Sequence, residues 1–248
     1  MAEQKIIMDA QKKTASDSET PAICRSCDAR HGGVCSTLSA SQLVELNRHS
    51  SRREIQSGIE VIGQGEETSH YSNILRGVVK LSKMMSDGRQ QIVGLQFAPD
   101  FLGRPFLGES TIAAEAATTT EICTFPRQII DRFATEVPDF ERKLHNQSLK
   151  ELDEARDWML TLGRKTAHEK VASFLNLIAT HINPEQQATQ SFDLPLSRAD
   201  IADFLGLTIE TVSRQMTKLR KEGIIVIENN RHVTIPDIKR LRRAAGGD

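Results

Sequence analysis

Residues 196–214 read LSRADIADFLGLTIETVSR, and this stretch predicts a helix–turn–helix. Ser197 with Asp200 three residues later is a capping box, which begins a helix by satisfying backbone N–H groups that have no partner within it. Gly206 permits the left-handed backbone conformation of a tight turn, and Thr208 caps a second helix. The stretch therefore predicts two short helices that cross at a sharp turn.

The second of these helices carries side chains suited to reading DNA. In helix–turn–helix proteins, the first residues of this helix meet base edges in the major groove. Arg214 can donate two hydrogen bonds to guanine, and Glu210 can accept one from cytosine. The side chains predicted to contact the DNA backbone are Arg198, Thr208 and Lys218.

A β-hairpin wing is predicted directly after the second helix, from residues 224–227 and 232–235 joined by Glu-Asn-Asn-Arg. Residues 195–248 contain ten Lys or Arg against seven Asp or Glu, although the whole chain has a net charge of −1. This mildly basic end suits contact with phosphates. The alternative is a helical pair inside an enzyme with incidental charges, but the caps, the turn glycine and the wing together favour DNA binding.

The part of the chain between residues 53 and 127 is predicted to be β-structure. β-branched segments alternate there with glycine and Ser-Asp-Gly turns, which is typical of a small antiparallel barrel or roll. The predicted strand segments are 60–62, 74–84, 91–97 and 118–125. Short helices are predicted over 38–48 and 167–181, and a polar loop over 183–191.

A long helix is predicted over 138–164, and we expect it to form a dimer interface. Leu152, Ala155, Met159 and Leu162 recur at spacings of three, four and three, the pattern of a coiled-coil seam. We predict that Asp157, beside that seam, brings like charges together in a symmetric dimer and opposes association until another interaction compensates. The alternative is that this helix packs only on its own domain.

The four cysteines predict a metal centre. Cys24, Cys27 and Cys35 lie in CRSCDARHGGVC, and Cys123 stands far downstream. Four thiolates suit a tetrahedral zinc ion or a cubic iron–sulfur cluster, and either would tie the N-terminal segment to the body of the fold. One alternative is a structural zinc site without sensing. The other is a thiol redox enzyme that uses the first two cysteines, although they lack a thioredoxin-like setting.

The compartment and the fold class follow from the whole chain. The first twenty residues are polar and no apolar run is long enough to span a membrane, so we expect a cytoplasmic protein without disulfides or membrane partners. The fold class is α+β. The predicted regions are a disordered N-terminus (1–20), the cysteine segment with a β-roll (21–137), a dimerisation helix (138–166) and a winged helix–turn–helix (167–248).

A β-roll, a long helix and a winged helix–turn–helix, in that order, resemble the cyclic-AMP receptor/Fnr superfamily of bacterial transcription regulators. The cysteines and the run Glu210-Thr-Val-Ser-Arg214 are similar to those of the Fnr branch. The spacing C-x2-C-x7-C looks like the variant found in alphaproteobacterial Fnr proteins. The resemblance implies an oxygen-responsive regulator of transcription and not an enzyme.

The resemblance also implies a cofactor and partners. A [4Fe–4S] cluster on the four cysteines would support a homodimer on double-stranded DNA, and oxygen would degrade the cluster and dissociate the dimer. Base readout falls on Glu210, Ser213 and Arg214, which would read a TTGAT-N4-ATCAA palindrome. RNA polymerase is the further partner expected.

A cyclic nucleotide is not expected as a ligand. Relatives that bind one have Gly-Glu followed several residues later by Arg-Ser or Arg-Thr. Here residues 101–110 read FLGRPFLGES and are followed by IAAEAA at 112–117, which offers no arginine for the phosphate. Glu115 would repel a phosphate at this point.

Overall fold

The computed structural model describes residues 20–182 and 189–247, which form two compact units. One unit comprises residues 20–80 and 96–151, and the other comprises residues 81–95 and 152–247. The region predicted to be disordered lies outside the described residues except for Thr20, which is buried. No helix in the described part of the chain is long and apolar enough to cross a membrane.

The first unit begins with short helical turns that carry the clustered cysteines. These are α1 (Ala22–Arg25), α2 (Asp28–His31) and a 3-10 turn (Val34–Thr37), followed by α3 (Ala40–Arg48). The helix predicted over 38–48 begins at Ala40 because Ser39 caps it. The Ser39 hydroxyl accepts from the Gln42 backbone N–H at 3.3 Å, and the Gln42 side chain accepts from the Ser39 N–H at 2.8 Å.

Eight strands follow and form two four-stranded sheets. The strands are β1 (Ser51–Ile55), β2 (Glu60–Ile62), β3 (His70–Arg76), β4 (Val78–Met84), β5 (Gln90–Phe97), β6 (Phe101–Leu102), β7 (Ala113–Ala116) and β8 (Thr120–Pro126). Their orders are β1-β8-β3-β6 and β2-β7-β4-β5. The prediction of a β-roll is therefore confirmed.

The strand predicted over 74–84 is in fact two strands separated by Gly77. This glycine has a φ of 90°, and a Cβ at this position would lie 2.6 Å from Thr120 Oγ1. Only glycine fits such a close approach with positive φ. The chain therefore bends here and leaves β3 for β4 in the other sheet.

Three helices follow the strands: α4 (Arg127–Glu136), α5 (Pro138–Arg164) and α6 (Ala167–Ile182). The observed bounds of α5 agree with the predicted ones. In the first unit, apolar residues of the cysteine segment share one core with the sheet β1-β8-β3-β6, with α4 and with the start of α5. The buried members of that core include Val34, Leu38, Leu43, Leu46, Tyr71, Phe101, Phe125, Phe133 and Phe140. Burial of each large side chain stabilises the unit by about 1.5–3 kcal/mol.

The second unit contains the predicted helix–turn–helix and wing. Its remaining elements are β9 (Gln190–Asp193), α7 (Arg198–Leu205), α8 (Ile209–Lys221), β10 (Val226–Glu228), β11 (His232–Ile235) and α9 (Ile238–Ala244). The strand order is β10-β11-β9, so β9 adds a third strand to the predicted hairpin. The loop prediction over 183–191 is wrong at its end, because Gln190 is buried and pairs with Ile235. Residues 183–188 lie outside the described part of the chain.

The units divide the chain differently from the predicted regions, whose boundaries fall at helix ends. Residues 81–95, which contain the end of β4 and most of β5, belong to the second unit because β5 contacts α7. Gln91 Nε2 donates to the backbone carbonyl oxygens of Asp203 at 2.6 Å and of Phe204 at 3.3 Å. The end of α5 belongs there as well, since the Trp158 ring packs 4.4 Å from the Phe204 ring, centroid to centroid.

Candidate metal centre and nucleic-acid interface

The four cysteines line a single pocket in the first unit. None of the four thiols forms a disulfide. The pocket residues are Cys24, Cys27, Cys35 and Cys123, together with Ile23, Arg30, Leu43, Leu46, Asn47, Ser50, Arg52, Asn73 and Phe125. The fold therefore brings the distant cysteine to the other three, as their arrangement in the sequence predicts.

The sheet register places two polar side chains beside the distant cysteine. Cys123 on β8 pairs with Arg52 on β1 and with Asn73 on β3. Residues directly opposite each other in adjacent strands point to the same face of a sheet. Arg52, Cys123 and Asn73 therefore form a row that faces the N-terminal segment.

Both neighbours of Cys123 contact that segment. Arg52 Nη2 donates to the backbone carbonyl oxygen of Ile23 at 2.7 Å, and Asn73 Nδ2 donates to Cys35 Sγ at 3.2 Å. Cys24 Sγ lies 3.9 Å from Asn47 Oδ1 on α3. Side chains of the sheet and of α3 therefore contact both ends of the cysteine motif.

Burial makes these thiols poor acids in the metal-free protein. It raises the pKa of Cys35 to about 12, although the Asn73 hydrogen bond opposes the shift. It also raises the pKa of Cys123 to about 11, against the hydrogen bond from Ser50 and the charge of Arg52. Burial, followed by the neighbouring Cys27, raises the pKa of Cys24. Binding a metal would therefore release protons, because only thiolates are ligands.

The two ends of the cysteine motif are held to different extents. Cys35 is 7 % exposed and belongs to the apolar core of the unit, whereas Cys24 and Cys27 are half-buried. The apolar neighbours Val34 and Leu38 are also buried in that core. The part of the motif that depends most on a metal for its position is therefore the first two cysteines.

The pocket supplies four thiols, which is the set of donor groups that an iron–sulfur cluster needs. In the described residues, no three or more His, Cys, Asp or Glu side chains converge as ligands of one metal ion. Thiolates on a single zinc ion lie about 3.8 Å apart, since each Zn–S bond is about 2.3 Å. A cubic cluster binds each thiolate through a different iron, so it needs four thiols around a pocket rather than at one point.

The helix–turn–helix has the predicted caps. The Ser197 hydroxyl accepts from the backbone N–H of Asp200 at 3.1 Å, and Asp200 Oδ2 accepts from the Ser197 N–H at 3.2 Å. Gly206 ends α7 in the left-handed region, with φ 60° and ψ 43°. The Thr208 hydroxyl accepts from the Thr211 N–H at 3.2 Å and so begins α8.

The residues predicted to read bases lie on the exposed side of α8. Glu210, Ser213 and Arg214 are exposed, whereas Val212 between them is fully buried. The pKa of Glu210 is lowered by its own backbone N–H and by the Thr208 hydroxyl, which keeps the carboxylate ionised as an acceptor. This half of α8 is therefore free to enter a groove of DNA.

The residues predicted to contact the DNA backbone have more varied surroundings. Thr208 is exposed while it caps α8, and Lys218 Nζ lies 3.9 Å from Glu222 Oε1. Arg198 is half-buried, and its Nη2 donates to the Asn230 carbonyl oxygen of the wing at 3.4 Å. Between α8 and the wing lies a groove lined by Arg198, Ser213, Met216, Thr217, Arg220, Ile227, Asn229 and Asn230. A phosphate contact by these residues stays a prediction.

The seam predicted on α5 is exposed at three of its four residues. Met159 is 73 % exposed and Leu152 is 45 % exposed, Ala155 between them is exposed, and Leu162 is half-buried. Trp158, which lies about 60° around the helix from Ala155, packs on Phe204 within the same unit. The exposed apolar residues of the seam are open to contact a second copy, and a dimer interface formed by them stays a prediction.

The position of Asp157 corrects one prediction. Asp157 is exposed, but it lies two residues from both Ala155 and Met159, which is about 200° around the helix from each. A side chain on the far side of α5 cannot meet its symmetry mate across that seam. The predicted like-charge repulsion at Asp157 therefore lacks geometric support.

The Glu115 carboxylate, on β7, forms a salt bridge with a lysine. Glu115 Oε1 lies 3.0 Å from Lys80 Nζ, and the Lys80 side chain is only 12 % exposed. Arg104, upstream of this strand, donates to Thr111 Oγ1 at 2.7 Å. The carboxylate expected to repel a phosphate is thus held by a neighbouring lysine.

The polar side chains that lie beside the cysteines in the pocket were not identified from the sequence. Asn73, Arg52 and Ser50 carry no local motif, and they reach the pocket through strand pairing with Cys123 or by lying just before β1. The register of β1, β8 and β3 is the signal that would have identified the first two. Local spacing does not supply that register.

These features define a class of protein. A β-roll with a candidate ligand-binding pocket, a long helix with an open apolar face and a winged helix–turn–helix make up a regulator that binds DNA. Residues 52–136 match the family model described as cyclic nucleotide-binding domain, and residues 169–244 match the Crp-like helix-turn-helix domain.

Proteins of known name are similar along most of the chain. A probable transcriptional activator of Rhizobium leguminosarum bv. viciae is 64% identical, over 95% of this chain and 98% of that protein. Transcriptional activator protein FnrL of Cereibacter sphaeroides is 40% identical, over 93% of this chain and 96% of that protein. The solved structure of FixK2 from Bradyrhizobium japonicum has a TM-score of 0.71 and 33% identity, and the match covers 79% of this chain and 96% of that one.

The chain belongs to the Crp/Fnr family of transcriptional activators. Members of this family bind DNA and are typically dimeric. Its relatives are transcription regulators and not enzymes, which overturns the alternative of a thiol redox enzyme. The fold class predicted from the sequence is confirmed by the same matches.

The predicted role of Arg214, on α8, in reading bases can be tested directly. The Arg214→Ala variant is expected to lose about 1–3 kcal/mol of discrimination between the predicted palindrome and unrelated DNA. Arg214 is exposed and its only hydrogen bond given by the described residues is a 3.5 Å contact with Thr211, so its loss should leave the fold intact. Titration of labelled DNA measures the effect. Equal discrimination by the variant and the parent would contradict the predicted role.

Proposed function

We propose that this activator senses oxygen through a [4Fe–4S] cluster bound by Cys24, Cys27, Cys35 and Cys123. The observation that carries the proposal is that all four cysteines of the chain line one pocket. When bound, such a cluster supplies an oxygen-reactive centre joined to both the N-terminal segment and β8.

The other pocket residues would hold an anionic group. Arg52 places a positive charge beside Cys24 and Cys123, which is the sign that four thiolates need. Asn73 donates a hydrogen bond to the Cys35 sulfur, and the hydroxyl of Ser50 lies beside Cys123. The apolar lining of Ile23, Leu43, Leu46 and Phe125 limits the access of water.

The cluster-loaded protein is proposed to bind DNA as a homodimer. Two-fold symmetry would place the two recognition helices one DNA turn apart, about 34 Å. Glu210, Ser213 and Arg214 of each protomer would then read one half of a TTGAT-N4-ATCAA-like palindrome. The bistable element is the monomer–dimer equilibrium, which the cluster biases by binding the dimeric state more tightly. RNA polymerase is the further partner in this proposal.

The test is the metal content of anaerobically purified protein. We expect about four irons and four acid-labile sulfides per chain, with a brown colour that bleaches in air. Loss of colour should coincide with loss of palindrome binding in the same sample. One zinc per chain, with no iron and no change in air, would instead indicate a DNA-binding activator with a structural zinc site.

A further inference from the structure

The side chain of Asn73 is buried in the cysteine pocket, where its amide nitrogen has a hydrogen-bond partner and its amide oxygen has none. Asn73 is 1 % exposed, and its Nδ2 donates to Cys35 Sγ at 3.2 Å. Its Oδ1 is buried and has no hydrogen-bond partner. A buried amide oxygen without a partner is rare in folded proteins, so this arrangement needs an explanation.

The orientation of the amide suits a charged sulfur. An asparagine can present either its oxygen or its nitrogen to a neighbour. A cysteine sulfur accepts a hydrogen bond from the N–H groups with or without its own proton, and the bond is stronger when the sulfur is charged. With Nδ2 on the sulfur, Asn73 makes a charge-assisted hydrogen bond when Cys35 is a thiolate, and such bonds are the stronger kind.

The position of Asn73 in the sheet fixes this contact. Asn73 pairs with Cys123 on one side of β3 and with Phe101 on the other, so its backbone is held between β8 and β6. Its side chain points to the same face as Cys123 while it contacts Cys35. The residue therefore lies between the distant cysteine and the clustered ones.

We propose that Asn73 is a positioning residue that hydrogen-bonds the Cys35 ligand and slows oxidative loss of the cluster. This inference rests on the cluster in the proposed function. Hydrogen bonds to the sulfur ligands stabilise the more reduced, more negative state of an iron–sulfur cluster and raise its reduction potential. Removing this bond therefore makes the cluster easier to oxidise.

Two variants separate this role from a packing role. Asn73→Leu removes the donor and the orphaned oxygen together, and Asn73→Asp keeps the shape but replaces the donor with a negative acceptor. Ser72→Ala is the matched control. Ser72 is the preceding residue of β3, is buried, and bonds Thr124 at 3.0 Å on the opposite face of the sheet.

The measurements are the reduction potential of the cluster, the rate of bleaching in air, iron per chain and the temperature of unfolding. We expect bleaching about tenfold faster in Asn73→Leu, in the range typical for lost outer ligand contacts, and faster still in Asn73→Asp. The potential should fall in the same order. The Ser72→Ala variant should bleach at the parental rate, even where its unfolding temperature drops.

Each outcome bears on the proposal. An Asn73 variant that unfolds like the parent yet holds less iron, or bleaches faster, supports it. Parental potentials and bleaching rates in both Asn73 variants would overturn it, as would equal acceleration by Ser72→Ala. A parent protein that holds zinc alone would refute the proposed cluster itself, whereas a parental cluster unaffected by Asn73 changes refutes only the role of Asn73.

Discussion

Anaerobic Cys123→Ala protein is expected to hold no intact cluster, to remain monomeric and to lose binding to the palindrome. Cys123 is the only cysteine on the sheet, and the other three lie between residues 24 and 35. Its loss removes the one ligand through which a metal could join that segment to β8. Iron analysis, sedimentation and DNA titration should therefore show the loss of the cluster, of the dimer and of palindrome binding together.

The change itself should leave the first unit folded. Cys123 contributes no disulfide, and β8 keeps its backbone pairing with both β1 and β3. Thr124→Ala is the matched control, because it alters the next residue of the same strand and removes only the contact with Ser72. Normal palindrome binding by Cys123→Ala, in the absence of air, would show that the sensing mechanism is wrong.

The helix–turn–helix could be predicted because each of its signals is local. Ser197 caps a helix through a residue three positions away, and Gly206 and Thr208 act on their own turn. Such contacts depend on the order of neighbouring residues and on nothing distant. For this reason, the predicted caps are observed, and the wing strand predicted over 232–235 agrees with β11, whereas the one predicted over 224–227 lies at Val226–Glu228.

The pocket could be predicted only in part. The cysteine ligands can be identified in the sequence because cysteine alone binds metals as a thiolate. The partners Asn73 and Arg52 depend on the register of three strands, and a slip of one residue would turn either side chain to the opposite face. Strand pairing joins residues far apart in the chain, so neither could be assigned from spacing.

The seam on α5 shows a different limit of prediction from sequence, which concerns the faces of a helix. Leu152, Ala155 and Met159 follow the seam pattern and are exposed on one face, whereas Leu162 is half-buried. Asp157 was assigned to the seam because it lies close in sequence. A helix turns about 100° per residue, so a neighbour two positions away lies on the other side. Proximity along the chain is therefore a poor guide to proximity on a helix.

The Met159→Glu variant is expected to remain monomeric and to lose most of its affinity for the palindrome, even with its cluster intact. Met159 is 73 % exposed in the single chain, so glutamate at this position meets only water until two copies associate. In a symmetric dimer the two carboxylates would face each other across the seam, desolvated and alike in charge. Sedimentation of anaerobic protein and DNA titration measure the two losses.

Two further variants make this prediction specific to the seam. Leu160→Glu introduces the same charge at a neighbouring residue that is also exposed, but about 100° around the helix, so the dimer should survive. Asp157→Ala removes a charge from the far side of the seam and should leave the monomer–dimer equilibrium unchanged. If Leu160→Glu dissociates the protein as fully as Met159→Glu does, added charge on α5 rather than the seam explains the loss. If Asp157→Ala strengthens the dimer, the interface extends further around α5 than the apolar stripe indicates.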